Sequence, residues 1–147
     1  MPHRILFAFM TALLSTGCGG KPPMVPVTGV VTLNGVAIEH CQVCFFPEAE
    51  NANPLEHGYG LAWTDTQGRY ALHNTFGEPG IFPGKYKVVL VYFTNKHGKA
   101  LPRTAKPSET PGGFFNQMPR DYEDPRTTPE TVEVLRSGLA KDFAISK

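Results

Sequence analysis

Residues 27–35 read Val-Thr-Gly-Val-Val-Thr-Leu-Asn-Gly, a run of β-branched residues that ends in an Asn-Gly pair. β-Branched side chains favour extended backbone, and Asn34 and Gly35 suit the positive φ angles of a tight hairpin turn. The stretch therefore predicts a β-strand followed by a turn. Similar runs recur along the chain, separated by Gly, Pro, Asn and Asp at strand-plus-turn spacing, and no segment has a convincing helical period.

Seven such runs predict seven strands, and alternation within them predicts the core. The predicted strands are residues 27–33, 41–46, 58–64, 69–73, 85–93, 130–135 and 139–145. The side chains predicted to face the core are Cys41, Val43, Phe45, Tyr70, Leu72, Tyr86, Val88, Leu90 and Tyr92. The pattern predicts an all-β domain folded as a sandwich or barrel. Asp65 is interpreted as the residue that forms the turn at 65–68.

The first seventeen residues have the order of a secretory signal. Positive charge at Arg4 precedes an apolar run over residues 5–14, and small residues follow at 15–17. The apolar run is about half the ~20 residues that a membrane-spanning helix needs. Residues 1–17 are therefore expected to be a signal peptide and not part of the fold.

The sequence Leu14-Ser15-Thr16-Gly17-Cys18 resembles the lipobox of bacterial lipoproteins, although Ser15 stands where that group prefers Leu. The resemblance implies that Cys18 carries lipid and becomes the first residue of the mature chain. Two acyl chains give stable membrane anchoring, which predicts a protein of the cell envelope outside the cytoplasm. The alternative is an ordinary signal peptide that leaves Cys18 free. Residues 18–26, with three prolines, are predicted to be an extended tether.

Charge and length limit the function further. Loss of Arg4 with the signal leaves thirteen basic and thirteen acidic residues, so nothing indicates a nucleic-acid partner. The remaining length suits one domain, which we assign to residues 27–147.

Several stretches resemble the carboxypeptidase regulatory-like domain, a transthyretin-like β-sandwich. They are residues 27–35 (VTGVVTLNG), 41–47 (CQVCFFP), 64–70 (TDTQGRY) and 83–88 (PGKYKV). The closing stretches resemble the single-domain lipoprotein branch of that group: residues 118–122 (MPRDY), 124–129 (DPRTTP), 132–134 (VEV) and 142–143 (DF). The resemblance implies an antiparallel Greek-key sandwich of about seven strands. It also implies a module that is usually non-catalytic.

Cys41 and Cys44, beside His40, form the one cluster with metal or redox character. On a strand, residues three apart point to opposite faces with Cα atoms ~10 Å apart, too far for a disulfide. A metal needs about four converging ligands, and the sequence has no second pair at suitable spacing. No metal or other cofactor is predicted.

Three aromatic residues are candidate contacts for a ligand or partner. Trp63 follows Tyr59 and Leu61 at alternate positions of a predicted strand; the stripe is interpreted as core, with a sugar-stacking platform as the alternative. Phe114 and Phe115 lie in the long, proline-rich stretch 94–128, which is longer than a passive connection between strands usually is. We expect them to plug the sandwich, the alternative being contact with a partner.

The sequence has none of the common hydrolase or phosphate-binding motifs, and we predict that the protein is not an enzyme. The leading hypothesis is a binding or structural module on a membrane surface, whose partner is an envelope protein or a glycan. A carbohydrate-binding module is the alternative. A transthyretin-like hydrolase is a second, less favoured alternative. Those enzymes use a Tyr-Arg-Gly-Ser type C-terminus, whereas this sequence has Ala144-Ile145-Ser146-Lys147 there.

Overall fold

The computed structural model describes residues 23–48 and 58–147. Within them the chain forms eleven short strands: β1 (Val27–Leu33), β2 (Val36–Ala37), β3 (Gln42–Pro47), β4 (Gly60–Trp63), β5 (Arg69–Ala71), β6 (Gly84–Val91), β7 (Phe93–Thr94), β8 (Phe115–Asn116), β9 (Thr131–Val134), β10 (Leu139–Ala140) and β11 (Phe143–Ile145). Two short 3-10 helices span Pro107–Glu109 and Arg120–Glu123. None of the helices in the described ranges is long and apolar enough to cross a membrane.

The strands form two main sheets and a small ribbon. In the first sheet, β1 is flanked by β5 and β2 along one edge and by β10 and β11 along the other. The second sheet has the order β4-β3-β6-β9, and all its pairings are antiparallel. The ribbon pairs β7 with β8. The predicted all-β sandwich is therefore confirmed.

The core lies between the two main sheets, where the predicted alternation places it. Eight of the nine predicted core side chains are buried, and Tyr92 packs against the core with part of its surface exposed. The rings of Phe45 and Phe143 meet edge to face, which joins the second sheet to the first. Large aromatic side chains thus connect the two layers.

Two predicted turns are confirmed by backbone geometry. Asn34 and Gly35 have φ angles of 51° and 80° between β1 and β2. Asp65 Oδ1 accepts hydrogen bonds from the backbone N–H groups of Gln67 and Arg69, both at 2.9 Å. Asp65 therefore closes the turn that leads into β5, as the sequence predicted.

The last predicted strand, residues 139–145, differs from expectation in two ways. It is divided into β10 and β11, and both pieces run parallel to β1, whereas the resemblance implied antiparallel pairing. The division falls at Lys141 and Asp142. Asp142 Oδ1 accepts the Val30 N–H at 2.8 Å, so a side chain occupies the place of a backbone acceptor at this step of the ladder.

The stretch 94–128 is fastened along β6 and β7. Asn116 Oδ1 accepts the backbone N–H of Tyr92, and Thr128 Oγ1 donates to the carbonyl oxygen of Val88 at 2.6 Å. Met118 is buried in the core, and Tyr122 packs against it. Met118 is therefore the buried apolar side chain that this stretch contributes to the core, and it was not among the predicted core residues.

Candidate functional site

The Tyr59, Leu61 and Trp63 stripe faces away from the core, so the interpretation of these side chains as core was wrong. Tyr59 is 36% exposed, and Leu61 and Trp63 are half-buried. The alternate positions Gly60 and Ala62 are the buried ones. Trp63 therefore lies on the outer surface of the second sheet.

The small residues on the inner side of β4 explain this orientation. A Cβ atom added at Gly60 would lie 2.8 Å from Ile81 Cγ2 and 2.9 Å from Leu72 Cδ1, closer than such contacts allow. The core therefore has no room for a larger side chain at this position of β4. Period-two alternation then sends the bulky residues of β4 outward. Gly60 was the sequence signal for this register.

The outward stripe continues across the corner between the two main sheets. Leu61 and His73 exchange both backbone hydrogen bonds, at 2.8 and 3.0 Å, so their side chains share a face. The small Ala71 lies with Trp63 on the same surface at this corner. A bulky aromatic side chain beside an alanine leaves a depression at the surface.

This depression is a cleft of about 520 Å³. Its lining residues are Tyr59, Leu61, Ala62, Trp63, Ala71, His73, Asn74, Thr75, Gly77 and Arg103. Arg103 comes from the stretch 94–128, so this stretch lines one side of the cleft. The lining combines apolar and aromatic surface with a few polar groups, which is the usual composition of a small-molecule site.

The chemistry of the lining suits a polyhydroxylated ligand. His73, Thr75 and Arg103 offer donors to ligand oxygens, and Asn74 lies among them. The Asn74 side chain already bonds its own turn, because its Oδ1 accepts the N–H groups of Phe76 and Glu78 at 2.9 Å. The turn that carries Thr75 is thereby held in place.

The indole nitrogen of Trp63 is buried and finds no acceptor within the described parts of the chain. A buried donor without an acceptor costs free energy, on the order of 1–3 kcal/mol. This nitrogen is covered by protein, so it is the ring surface of Trp63 and not its N–H that lines the cleft. The contact that Trp63 can offer a ligand is therefore one of ring packing.

The stacked rings of Phe46 and Tyr59 extend this aromatic surface onto β3. Their centroids lie 5.7 Å apart with an angle of 17° between the planes. Phe46 is half-buried and lies on the outer face of the second sheet. Phe46 was not among the predicted site residues, because Tyr59 was expected to face the core.

Cys41 directly precedes β3, Cys44 lies within it, and both are free thiols. Cys41 belongs to the core cluster and Cys44 is buried outside it, which agrees with the predicted opposite orientation. Burial raises the pKa of Cys41 to about 12 and that of Cys44 to about 11. At neutral pH both groups are protonated, and a protonated thiol is a poor nucleophile and metal ligand. Among residues 23–48 and 58–147, no cluster of three or more His, Cys, Asp or Glu is placed to hold a metal ion.

Phe114 and Phe115 do not plug the sandwich, and that expectation was wrong. Phe114 is half-buried and packs on Phe93, with ring centroids 5.6 Å apart. Phe115 is 46% exposed on the β7–β8 ribbon. Adjacent residues of a strand point to opposite sides, so only one of the two can pack on the ribbon. Neither lines the cleft.

The predicted lipidation site lies outside the described part of the chain. Cys18, the signal at 1–17 and the beginning of the tether fall there, and the described residues begin at Pro23. From Val25 onward the tether joins the fold, because Val25 pairs with Ile81 through hydrogen bonds of 2.8 and 3.1 Å.

The sequence matches no protein family and no curated protein. Among solved structures, the chain is similar to a "putative carbohydrate binding protein" of Pseudomonas aeruginosa. The two sequences are 14% identical, and the similarity covers 87% of this chain and 91% of the other, with a TM-score of 0.40.

Proposed function

We propose that this protein is a non-catalytic cell-envelope lipoprotein whose β-sandwich binds a saccharide in the cleft beside Trp63. The observation that carries the binding half is the outward face of β4. Tyr59 and Trp63 are aromatic side chains that the sandwich leaves partly exposed and does not use as core. The flat face of an aromatic ring packs well on the apolar face of a pyranose, while hydroxyl groups take hydrogen bonds from the rim.

The size and setting of the cleft support the same ligand class. Its volume of about 520 Å³ lies within the usual range for small-ligand sites, roughly 300–1,000 Å³. The cleft is built on paired strands and on a turn that Asn74 holds in place. A site on rigid elements loses little conformational freedom when it binds.

The lining also favours binding over hydrolysis. Glycoside hydrolysis ordinarily uses a pair of carboxyl groups on the two sides of the scissile bond. Among the described residues that line the cleft, none is Asp or Glu. From the described residues, a bound sugar would therefore meet cationic and amide groups.

The anchoring half of the proposal depends on the sequence around Cys18. The signal-like residues 1–17, the lipobox-like residues 14–18 and the proline-rich residues that follow support lipidation at Cys18. Mass spectrometry of the N-terminal peptide from a membrane fraction tests it. An unmodified peptide that begins at residue 18 would refute lipidation at Cys18. It would not bear on saccharide binding in the cleft.

Membership of the carboxypeptidase regulatory-like group is likewise proposed. Its support is that three of the stretches that carry the resemblance meet in one place. Gly29, Tyr70 and the backbone beside Asp142 are in contact through Lys141. The shared motifs therefore have a common structural purpose in this sandwich.

Binding can be tested with the mature chain on a glycan array, followed by titration of each hit. Trp63 is the sole tryptophan, so its fluorescence reports directly on the cleft. Because Trp63→Ala has no tryptophan, all variants are compared by titration calorimetry, and we expect Trp63→Ala to weaken binding by about tenfold or more, equivalent to about 1.4 kcal/mol. Phe115→Ala is the matched control, because it removes an exposed aromatic ring outside the cleft. An array without hits, or equal losses in both variants, would refute saccharide binding at Trp63.

A further inference from the structure

The chain enters the sandwich between two turns. On one side Val25 pairs with Ile81, and Asn74 Nδ2 lies 3.3 Å from Met24 Sδ. On the other side the carbonyl oxygen of Pro26 accepts the N–H of Leu139 at 3.0 Å. The turns at residues 74–78 and 135–138 therefore flank the entering chain at one end of the molecule.

Each of these turns holds a bulky apolar side chain in solvent. Phe76 is 69% exposed and Leu135 is 55% exposed. Both turns are closed by backbone hydrogen bonds, from Gly77 to Asn74 at 3.0 Å and from Gly138 to Leu135 at 2.9 Å. A single exposed apolar residue needs no explanation. Two of them on either side of the point where a tether enters suggest a common surface.

The tether is short enough to define what this surface faces. Four residues separate Cys18 from Pro23, and the five Cα–Cα steps of a fully extended chain span at most about 18 Å. A lipid on Cys18 would therefore keep this end of the sandwich within about 18 Å of the membrane surface. The opposite end, where Val36 follows the β1–β2 turn, would point away from the membrane.

We propose that this end of the sandwich rests against the lipid bilayer, with Phe76 and Leu135 entering its interfacial layer. The proposal rests on the proposed anchoring at Cys18. Aromatic and aliphatic side chains with a polar surround are the groups that proteins place at this depth. Phe76 and Leu135 thus act as a second contact, which holds the cleft beside Trp63 in a fixed orientation above the lipid.

The charges near these two turns are mixed. Arg136 follows Leu135, while Glu78 bonds to the Asn74 side chain at 2.8 Å. Lys85 lies opposite Glu133 in the β6–β9 pairing. Because the described residues form no net basic patch here, the contact depends on apolar insertion, and anionic lipid should change it little.

Photocrosslinking in vesicles tests the contact without depending on lipidation in the cell. The mature chain is coupled through the Cys18 thiol to a maleimide lipid in phosphatidylcholine vesicles. A photoreactive residue replaces Phe76, Leu135 or, as control, Val36. Val36 is also apolar, is 65% exposed and lies at the opposite end. We expect lipid adducts at positions 76 and 135 to exceed those at position 36 by about fivefold.

Three results would overturn the proposal. The first is equal yields of lipid adduct at the three positions, and the second is no lipid adduct at 76 or 135. The third is a product at position 76 that joins two protein chains, which would identify this end as a self-association surface. Because the lipid is attached chemically, none of these results bears on whether the cell lipidates Cys18.

Discussion

The Tyr70 hydroxyl donates a hydrogen bond of 2.7 Å to the backbone carbonyl oxygen of Lys141, seventy-one residues further along the chain. This oxygen lies where β10 and β11 are interrupted, beside Gly29 of β1. Because Lys141 O is bound by Tyr70, the Val30 N–H donates its hydrogen bond to the Asp142 side chain instead. One tyrosine thus connects the turn motif, the first strand and the end of the chain.

Tyr70→Phe should lower the free energy of unfolding by about 1 kcal/mol, because it removes one hydrogen bond and leaves the Lys141 carbonyl without its donor. The ring should keep its stacking on Phe143, whose centroid lies 6.0 Å away. Urea denaturation at neutral pH measures the change. Tyr59→Phe is the control, since its hydroxyl bonds to none of the described residues, and it should have little effect. Equal losses in the two variants would contradict the role of the Tyr70 hydroxyl.

Gly29→Ala should destabilise the fold more severely, by about 3 kcal/mol, because the added atom forces the backbone apart. The new Cβ would lie 1.8 Å from Lys141 O and 2.9 Å from the Tyr70 ring. The comparison is Gly35→Asn in the β1–β2 turn, where φ is +80° and no atom lies within 4 Å. Asn tolerates that conformation, so the free energy of unfolding of this variant should fall by less than about 1 kcal/mol. Thermal unfolding of both proteins gives the two values, and a Gly29→Ala protein as stable as the parent would refute the close approach.

Much of the fold could be predicted because its signals are local. The β1 bounds, the Asn34-Gly35 turn and the core-facing positions of β3 and β6 follow from alternation and turn chemistry. The division of residues 139–145 could not be predicted in this way. It depends on a hydrogen bond from Tyr70, which lies far away in the sequence.

The candidate site was predicted less well, for a physical reason. β4 carries apolar residues on both of its faces, so alternation alone could not say which face is buried. Ile81 and Leu72 decide the register by filling the space beside Gly60. Arg103 reaches the cleft from a stretch without strand pattern, and no local signal places it there.

Asp65 should make stability depend on pH in the acidic range. Hydrogen bonds from the Arg69 N–H, from its guanidinium and from the Gln67 N–H hold the pKa of Asp65 below its usual 3.8. Since the folded pKa is the lower one, the stabilisation is present above about pH 4 and is lost as pH falls through the folded pKa. The difference in stability between the parent and Asp65→Asn should therefore shrink between pH 5 and pH 2, about the range in which carboxyl groups titrate. A constant difference across that range, measured by urea denaturation, would contradict this origin.

The three cysteines should differ sharply in their reactivity toward a thiol reagent. Burial raises the pKa of Cys41 to about 12 and of Cys44 to about 11. At pH 8 the reactive thiolate is then about one part in ten thousand of Cys41 and about one part in a thousand of Cys44. In the folded protein, neither thiol should react with the reagent on the time scale of an exposed cysteine. Unfolding in guanidinium should make both thiols reactive.

The same measurement reports on Cys18. A lipidated chain has no thiol at residue 18, so the folded protein should give no fast reaction, whereas a free Cys18 would give one. Cys44→Ser provides the control. It should reduce the number of thiols that become reactive on unfolding from two to one, and it should add no fast-reacting thiol in the folded protein. Two fast thiols in the folded parent protein would contradict the burial of the Cys41 and Cys44 pair.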